Sequence, residues 1–297
     1  MNHPLTRTNI AFVTSKDYPD LTVSDRLAAR ALGEAGARVL LAFWDDPSVD
    51  WARFDLIIVR STWDYHLQPE RYLRWIDSLD ERRLPLWNPA KILRWNMDKR
   101  YLLDLETKGI RVPRTCFLDG KQSIDLFAIR THLGTDEAVV KPVVSASSWN
   151  TWRCSLKDLS AEDKLRLENL PGNATVMVQE FIPEISRDGE WSGVFFGRQF
   201  SHSLRKFPRE GDFRVQEEWG GRHRHELNPP EDLIRQATEV VATIETPLLY
   251  ARVDGVVRDG RLVVMELELL EPSLYFDVDP ASAYRFVERV VEVMGLK

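Results

Sequence analysis

The first 87 residues alternate short apolar runs with stretches of helical periodicity, and this alternation restricts the fold more than any other feature of the chain. Residues 9–14 (NIAFVT) form an apolar run of strand length. Residues 24–36 place Leu27, Ala28, Ala31, Leu32 and Ala35 at helical spacing, with Ser24 or Asp25 as the cap and Gly36 at the end. Apolar runs at 39–43 and 56–59 follow, then an amphipathic helix over 69–82 and a short strand at 84–87. Strands alternating with helices predict an α/β domain whose parallel sheet is covered on both faces. Ligands of such sheets sit beyond the carboxyl ends of the strands. Two loops fall there: Lys16-Asp17-Tyr18 after the first strand, and Arg60-Ser61-Thr62-Trp63-Asp64-Tyr65 after the third.

The remainder changes character. A polar helix is expected over 97–108, ending at Gly109, and Val112-Pro113 marks a boundary. Strands at 116–118, 138–141 and 176–181, with helices at 123–133 and 161–170, have the size of a small α+β lobe. The last hundred residues give strands at 192–196 and 199–204, a helix at 230–245, a hairpin over 249–269 and a closing helix at 281–294. The expected divisions are 1–95, 96–188 and 189–297, in keeping with the two or so domains that 297 residues allow.

Composition removes several classes. Hydrophobic residues at 43% and charged residues at 29% are those of a globular protein. No run approaches the ~20 apolar residues of a membrane helix, and the start, MNHPLTR, lacks the apolar core of a signal peptide, so a cytoplasmic protein is expected. Cys116 and Cys154 stand far apart without other soft ligands, which argues against a disulfide framework or a zinc site. With 40 basic and 46 acidic residues the formal charge is −6, which disfavours nucleic acid but allows a small anion held by a few basic groups.

Four constellations carry chemistry. In the hairpin, Glu266 and Glu268 alternate with apolar residues and share a face, so both persist as anions only if positive charge lies between them. A two-residue turn at Asp259-Gly260 in regular register would put Asp254 on the opposite face. A three-residue loop, 258–260, would instead set Asp254 opposite Val264 and about 7–8 Å diagonally from Glu266. That span suits a hard cation such as magnesium, which uses one or two carboxylates plus substrate phosphates. Second, Lys99 opens a helix, and Lys141 closes an apolar strand before the loop Val144-Ser145-Ala146-Ser147-Ser148. An ammonium beside hydroxyl and backbone donors suits a phosphate, although the loop is serine-rich where phosphate loops use glycine. Third, an apolar strand runs into Gln179-Glu180-Phe181-Ile182 and stops at Pro183, with Glu190 soon after, an arrangement able to meet a flat heterocycle and a ribose. Fourth, Gly211-Asp212-Phe213-Arg214 followed by Gly220-Gly221 reads as a mobile loop carrying a fork-shaped cation to an anion.

The order of these features resembles the ATP-grasp superfamily over roughly residues 90–280, most closely its glutathione-synthetase and ribosomal-protein-glutamate-ligase branch. The loop 60–65, Asn88-Pro89 and the segment 266–274 are further similar to a smaller group that includes the D-cycloserine-forming ligase. The resemblance implies an ATP-grasp fold with a preceding α/β domain, and an ATP-dependent carboxylate–amine ligase that works through an acyl phosphate. It implies that Lys99, Lys141 and Ser147 bind the phosphates of ATP. Gln179, Glu180, Phe181 and Ile182 would meet the adenine, and Glu190 the ribose. Asp254, Glu266 and Glu268 would hold two magnesium ions, for which manganese could substitute, and Arg214 would stabilise the transferring phosphoryl group. Substrate would lie against Lys16, Arg60, Thr62, Trp63, Asp64, Tyr65 and Ser273. Two departures stand out: Glu268 replaces the asparagine of many relatives, and the loop after Lys141 lacks glycines. Partners are then a small carboxylate and an amine, with no nucleic acid and no membrane; relatives often form homo-oligomers. A ring-closing reaction on one substrate, an ATP-binding protein without catalysis, and a tryptophan-based sugar platform are the competing readings. The ten tryptophans are scattered and read mostly as core, Trp63 excepted.

Overall fold

The fold is described from a computed structural model, in residues 4–119, 124–169 and 175–296. Met1 to His3, Ser123 and Leu170, which entered the expectations above, lie outside the described residues. The first domain contains β1 (Asn9–Thr14), α1 (Val23–Glu34), β2 (Arg38–Phe43), β3 (Leu56–Val59), α2 (Pro69–Glu81) and β4 (Leu86–Trp87). Its sheet has the order β2-β1-β3-β4 with all pairs parallel. The cap of α1 differs from expectation: Thr22 accepts from the Asp25 N–H at 3.0 Å, while Ser24 and Asp25 are buried and serve tertiary contacts.

The helix expected over 97–108 is the shorter α4 (Tyr101–Thr107), and a helix that was not expected, α3 (Ala90–Met97), precedes it. Asp98 leaves helical geometry at φ −103°, ψ 118°, and its carboxylate accepts from the Arg100 N–H at 2.9 Å. The break frees the Lys99 N–H to bond the Val143 carbonyl at 2.8 Å. Short polar side chains that bond nearby backbone compete with the helix in this way.

A small lobe follows: β5 (Thr115–Asp119), α5 (Leu126–Leu133), β6 (Glu137–Pro142), β7 (Trp152–Ser155), α6 (Ala161–Glu168) and β8 (Thr175–Glu180). Its antiparallel sheet runs β5-β8-β6-β7. Its core (Leu118, Ile129, Leu133, Val140, Val178) is drawn only from this lobe. The last part holds α7 (Glu184–Asp188), β9 (Glu190–Phe196), β10 (Gln199–Phe207), β11 (Arg222–His225), α8 (Glu231–Ala242), β12 (Tyr250–Arg258), β13 (Arg261–Glu268) and α9 (Ser282–Val293), with the sheet order β11-β10-β9-β12-β13.

The first and last parts share one core. Ile10, Phe12 and Ile58 of the parallel sheet pack in one cluster with Phe196, Tyr250, Phe276 and Phe286. Asn88 clips the two together: its amide donates to the Tyr250 and Leu269 carbonyls at 3.0 and 2.7 Å and accepts from the Leu249 N–H at 2.7 Å. Among the described residues no helix is long and apolar enough to cross a membrane.

Candidate functional site

A cleft of about 780 Å³ opens where the three sheets meet. Its acidic wall is the β12–β13 hairpin, and the register there differs from the three-residue loop expected. The turn is the two-residue Asp259-Gly260, both at positive φ, with Arg258 opposite Arg261. Continued regularly, that register would turn Asp254 away from Glu266. A bulge corrects it: Gly255 opposes Val264, Asp254 opposes Glu266, and Met265 is the extra residue. Gly255 is needed at this point, because a Cβ there would lie 2.6 Å from the Val263 carbonyl oxygen. Arg252 opposes Glu268, so Arg252, Asp254, Glu266 and Glu268 share one face and line the cleft.

Each acid is met by a cation. Lys141, at the end of β6, places its ammonium 3.3 Å from Glu266, and Lys99, from the break between α3 and α4, places its own 3.9 Å from the same carboxylate oxygen. The Lys99 ammonium also donates to the Ser145 carbonyl at 2.8 Å. Burial opposes ionisation of Glu266, but the two ammonium groups outweigh it and pull the carboxyl down to about 2. Arg252 grips Asp254 at 2.9 Å and also Glu268, while its Nη1 donates to the Ser273 carbonyl at 2.8 Å. Lys206 on β10 lies 2.5 Å from Glu190 and 3.2 Å from Asp254. The Ser192 hydroxyl donates to Asp254 at 2.6 Å. Burial works against ionised Asp254, yet Arg252 and Lys206 hold it well below the usual carboxylate range. For Glu268 burial wins, and its carboxyl is pushed up to about 8 in spite of Arg252.

The acids therefore form one stripe neutralised by Lys99, Lys141, Lys206 and Arg252. Among the described residues no three His, Cys, Asp or Glu side chains converge closely enough to enclose a metal ion by themselves. All the donors are hard carboxylate oxygens, as magnesium prefers, and magnesium bound together with phosphates needs only one or two of them. The donor set fits that ion.

The adenine-side expectations need revision in detail. Gln179, Glu180, Phe181 and Ile182 all line the cleft. The Glu180 carboxylate, however, accepts from the Arg114 N–H at 2.9 Å and pairs with the Arg114 and Arg258 guanidiniums at 3.3 and 3.1 Å. Burial raises its pKa, but these donors bring it below the ordinary value. The Phe181 N–H is taken by the Glu137 carbonyl at 3.0 Å.

Ser147 and Ser148 hold φ of 48° and 55°, so the serine-rich loop follows a left-handed route that glycine takes without penalty. The loop is tied to the Gly-Asp-Phe-Arg segment: Trp219 Nε1 donates to the Ser147 carbonyl at 3.0 Å, and the Ser148 hydroxyl donates to Gln216 at 2.7 Å. Arg214 lines the cleft with its guanidinium 2.8 Å from Asp212 and 3.5 Å above the Trp219 ring centroid. Its hydrogen bonds lower the Asp212 carboxyl to about 2.

Of the residues expected on substrate, Trp63, Tyr65 and Ser273 line the cleft, whereas Lys16, Arg60, Thr62 and Asp64 do not. Lys16 is solvent-exposed and paired with Asp45 at 2.6 Å. Arg60 is buried, bonds Asp25 at 2.7 Å and donates to the Pro272 carbonyl at 2.9 Å. Thr62 shares a hydrogen bond with the Tyr72 hydroxyl, and Asp64 accepts from Trp44 Nε1. Successive residues of one loop cannot all face one cavity, and only the turn geometry settles which do. Sequence reasoning gave no site role to Lys206, Arg252 and Tyr275, which line the cleft, whereas Tyr18 and Glu271, which also line it, fell in segments it had singled out without a role of their own. Arg252 was legible, since it lies two residues before Asp254 on one strand face. Lys206 was not, because only pairing of β10 with β9 brings it to Glu190.

Comparison with known proteins places the fold. A family profile described as the N-terminal domain of D-cycloserine synthetase DcsG matches residues 10–88. The cycloserine biosynthesis protein DcsG of Streptomyces lavendulae is 30% identical over 267 residues, which is 84% of this chain and 86% of that protein. The crystal structure of D-cycloserine synthetase DcsG superposes with a TM-score of 0.85 at 26% identity, covering 96% of this chain and 99% of the other. More distantly, D-alanine–D-alanine ligase from Bacillus anthracis (TM-score 0.68, 14% identity, 97% of each chain) shares the fold. So does the ATP-grasp ligase PsnB (TM-score 0.66, 20% identity, covering 97% and 99%). The fold is that of an ATP-grasp enzyme, an ATP-dependent ligase. Within that class the chain belongs to the D-cycloserine synthetase family.

Proposed function

We propose that the chain joins a carboxylate to an amine through an acyl phosphate, releasing ADP and phosphate. One observation carries the reading: lysines from two separate parts of the fold, Lys99 and Lys141, reach one half-buried carboxylate, Glu266, on the acid stripe of a single cleft. In this reading residues 1–95 supply substrate contacts, 96–188 the closing lobe, and 189–297 the acid stripe. Lys99 and Lys141 neutralise the phosphates and exchange Glu266 for the nucleotide. Ser147 offers hydroxyl and backbone donors. Glu180, being held by two arginines, sets the hinge rather than meeting the adenine with its side chain, so the contact falls to the backbone at Ile182. Glu190 accepts from the ribose. Asp254, Glu266 and Glu268 would hold magnesium, with manganese able to substitute; when bound, the metal would offset negative charge on the phosphate oxygens.

A carboxylate is a poor electrophile because it is already anionic. Its oxygen attacks the γ-phosphorus, ADP leaves, and the acyl phosphate acquires a good leaving group. The amine then attacks the carbonyl carbon, the C–O bond to phosphate breaks, and the amine loses a proton. Arg214, pre-set by Asp212 and Trp219, carries a guanidinium to the developing phosphoryl charge. The serine loop and the 211–221 segment, tied together over the cleft, exclude water that would hydrolyse the intermediate.

A ring-closing reaction, in which one molecule supplies both carboxylate and amine, is the second reading. Similarity to DcsG extends through residues 10–88, the part that carries Trp63 and Tyr65. The test is ADP release from ATP and magnesium with a panel of carboxylates and amines, followed by mass spectrometry of the product. An amide formed only when two substrates are present supports condensation, and product from a single substrate supports ring closure. No ADP release with any substrate would refute the ligase mechanism. Lys141→Ala should cut kcat/KM by about 10²–10³ through loss of a charge-stabilising donor.

A further inference from the structure

Among the described residues, every buried or half-buried acid of the cleft save one has a cation. Glu180 is held by Arg114 and Arg258, Glu190 by Lys206, Asp254 by Arg252 and Lys206, Glu266 by Lys141, and Glu268 by Arg252. Glu271 is only 8% exposed and lines the cleft. Among the described residues its carboxylate makes no ion pair, and no donor other than its own backbone N–H bonds it. Burying an ionised carboxylate without a partner is costly. The consequence is visible in the group itself: burial pushes its pKa up to about 7, with Lys99 and Arg252 acting from beyond ion-pairing distance. Both of those cations have nearer partners: Lys99 donates to the Ser145 carbonyl, and Arg252 bridges Asp254 and Glu268.

The surroundings of Glu271 specify what is missing. Its carbonyl accepts from Trp63 Nε1 at 2.9 Å, which fixes the indole of the first domain beside it. Tyr18 meets Trp63 edge to face, with ring centroids 4.7 Å apart. Tyr65, close enough for the charge of Glu271 to oppose its ionisation, forms the neighbouring wall. An aromatic wall beside a lone carboxylate favours a compact cation.

We propose that Glu271 is a specificity-determining residue that anchors an ammonium group of the small substrate, with Trp63 as the adjoining wall. The proposal rests on the ligase reading and narrows its substrate to acids that also carry a free amine. The anchored amine stays protonated, so it is a recognition handle and not the nucleophile.

The test uses the full chain saturated with a non-hydrolysable ATP analogue. Calorimetric titration is run with α-amino acids of both hands, each paired with its N-acetyl derivative. At least one free amino acid should bind, and its N-acetyl partner should bind at least about tenfold more weakly. Glu271→Gln should weaken that amino acid by about tenfold or more while leaving the affinity for the nucleotide analogue within about twofold, and Glu271→Asp should restore part of the loss. The N-acetyl comparison on the unaltered protein stands even if a variant misfolds. Equal binding of an acetylated pair, unchanged binding by Glu271→Gln, or no amino acid binding to protein that does bind the analogue would each overturn the proposal. The last three results leave the ligase reading intact, whereas failure of the analogue itself to bind would overturn both.

Discussion

His202 sits on β10 with its ring 3% exposed, donating from Nε2 to the Leu274 carbonyl at 3.0 Å and accepting at Nδ1 from the Ser201 hydroxyl at 3.0 Å. This tautomer satisfies both ring nitrogens while neutral, and it anchors the chain between Ser273 and Tyr275, two residues of the cleft. Burial lowers its pKa from 6.5 to about 4. The unfolded chain then binds a proton in a range where the folded one does not, so its contribution is complete above pH 6.5 and is lost as pH falls to about 4. Up to about 3 kcal/mol is at stake. Urea midpoints taken across that range should fall less steeply for His202→Gln than for the parent protein. Equal slopes would show that this imidazole titrates normally. No sequence signal marks this histidine, since an isolated His in an apolar strand reads alike whether buried or exposed.

At the scale of elements, the hairpin decides the chemistry. A strand has a period of two, so a slip of one residue turns a whole set of side chains to the other face. A two-residue turn at Asp259-Gly260 was one of two readings the sequence allowed, and in regular register it gave the wrong face for Asp254; the bulge at Met265 restores that face. Deleting Met265 should restore regular pairing from the turn and still leave Asp254 opposite Glu266 and Arg252 opposite Glu268, because the residue removed is the unpaired one. The expected result is a folded protein, recognisable by its circular dichroism, that keeps measurable ADP release. Loss of turnover in a folded variant would show that the local bend of the bulge, and not the register alone, sets the acid stripe. A second element, the helix expected over 97–108, starts only at Tyr101, because Asp98 leaves helical geometry after a preceding helix, Ala90–Met97. That break is what presents Lys99 to Glu266, and it depends on a bond to Val143 in another lobe.

Across the whole molecule, the parallel sheet and the acid-bearing lobe are joined by buried polar groups as well as by a common core. Arg60 and Asp25 form an ion pair with side chains 1% and 3% exposed, and Arg60 also reaches the Pro272 carbonyl in the last lobe. Arg60→Met should cost about 3–5 kcal/mol, because it strands the Asp25 carboxylate in the interior. The double variant Arg60→Met with Asp25→Leu should recover much of that loss, as judged by urea unfolding. A small effect of the single variant would mean that water reaches Asp25. The same pair explains why Arg60, in a loop well placed for substrate, does not line the cleft.

The sequence by itself determined the elements and the class of chemistry. Periodicity laid out the parallel sheet, the small lobe and the hairpin, and the order of Lys99, Lys141, Glu180, Asp254 and Glu266 pointed to ATP-grasp chemistry. These are local or ordered features, which a linear string preserves. Tertiary structure alone decided which groups meet: Lys206 with Glu190, Glu180 with Arg114 and Arg258, Arg60 with Asp25, and Glu271 with no ion-pairing cation among the described residues. Each of these depends on residues far apart in the chain being brought within a few ångströms. In a low-dielectric interior such proximity, rather than residue type, sets whether a charge is paired, shifted or left waiting for a ligand.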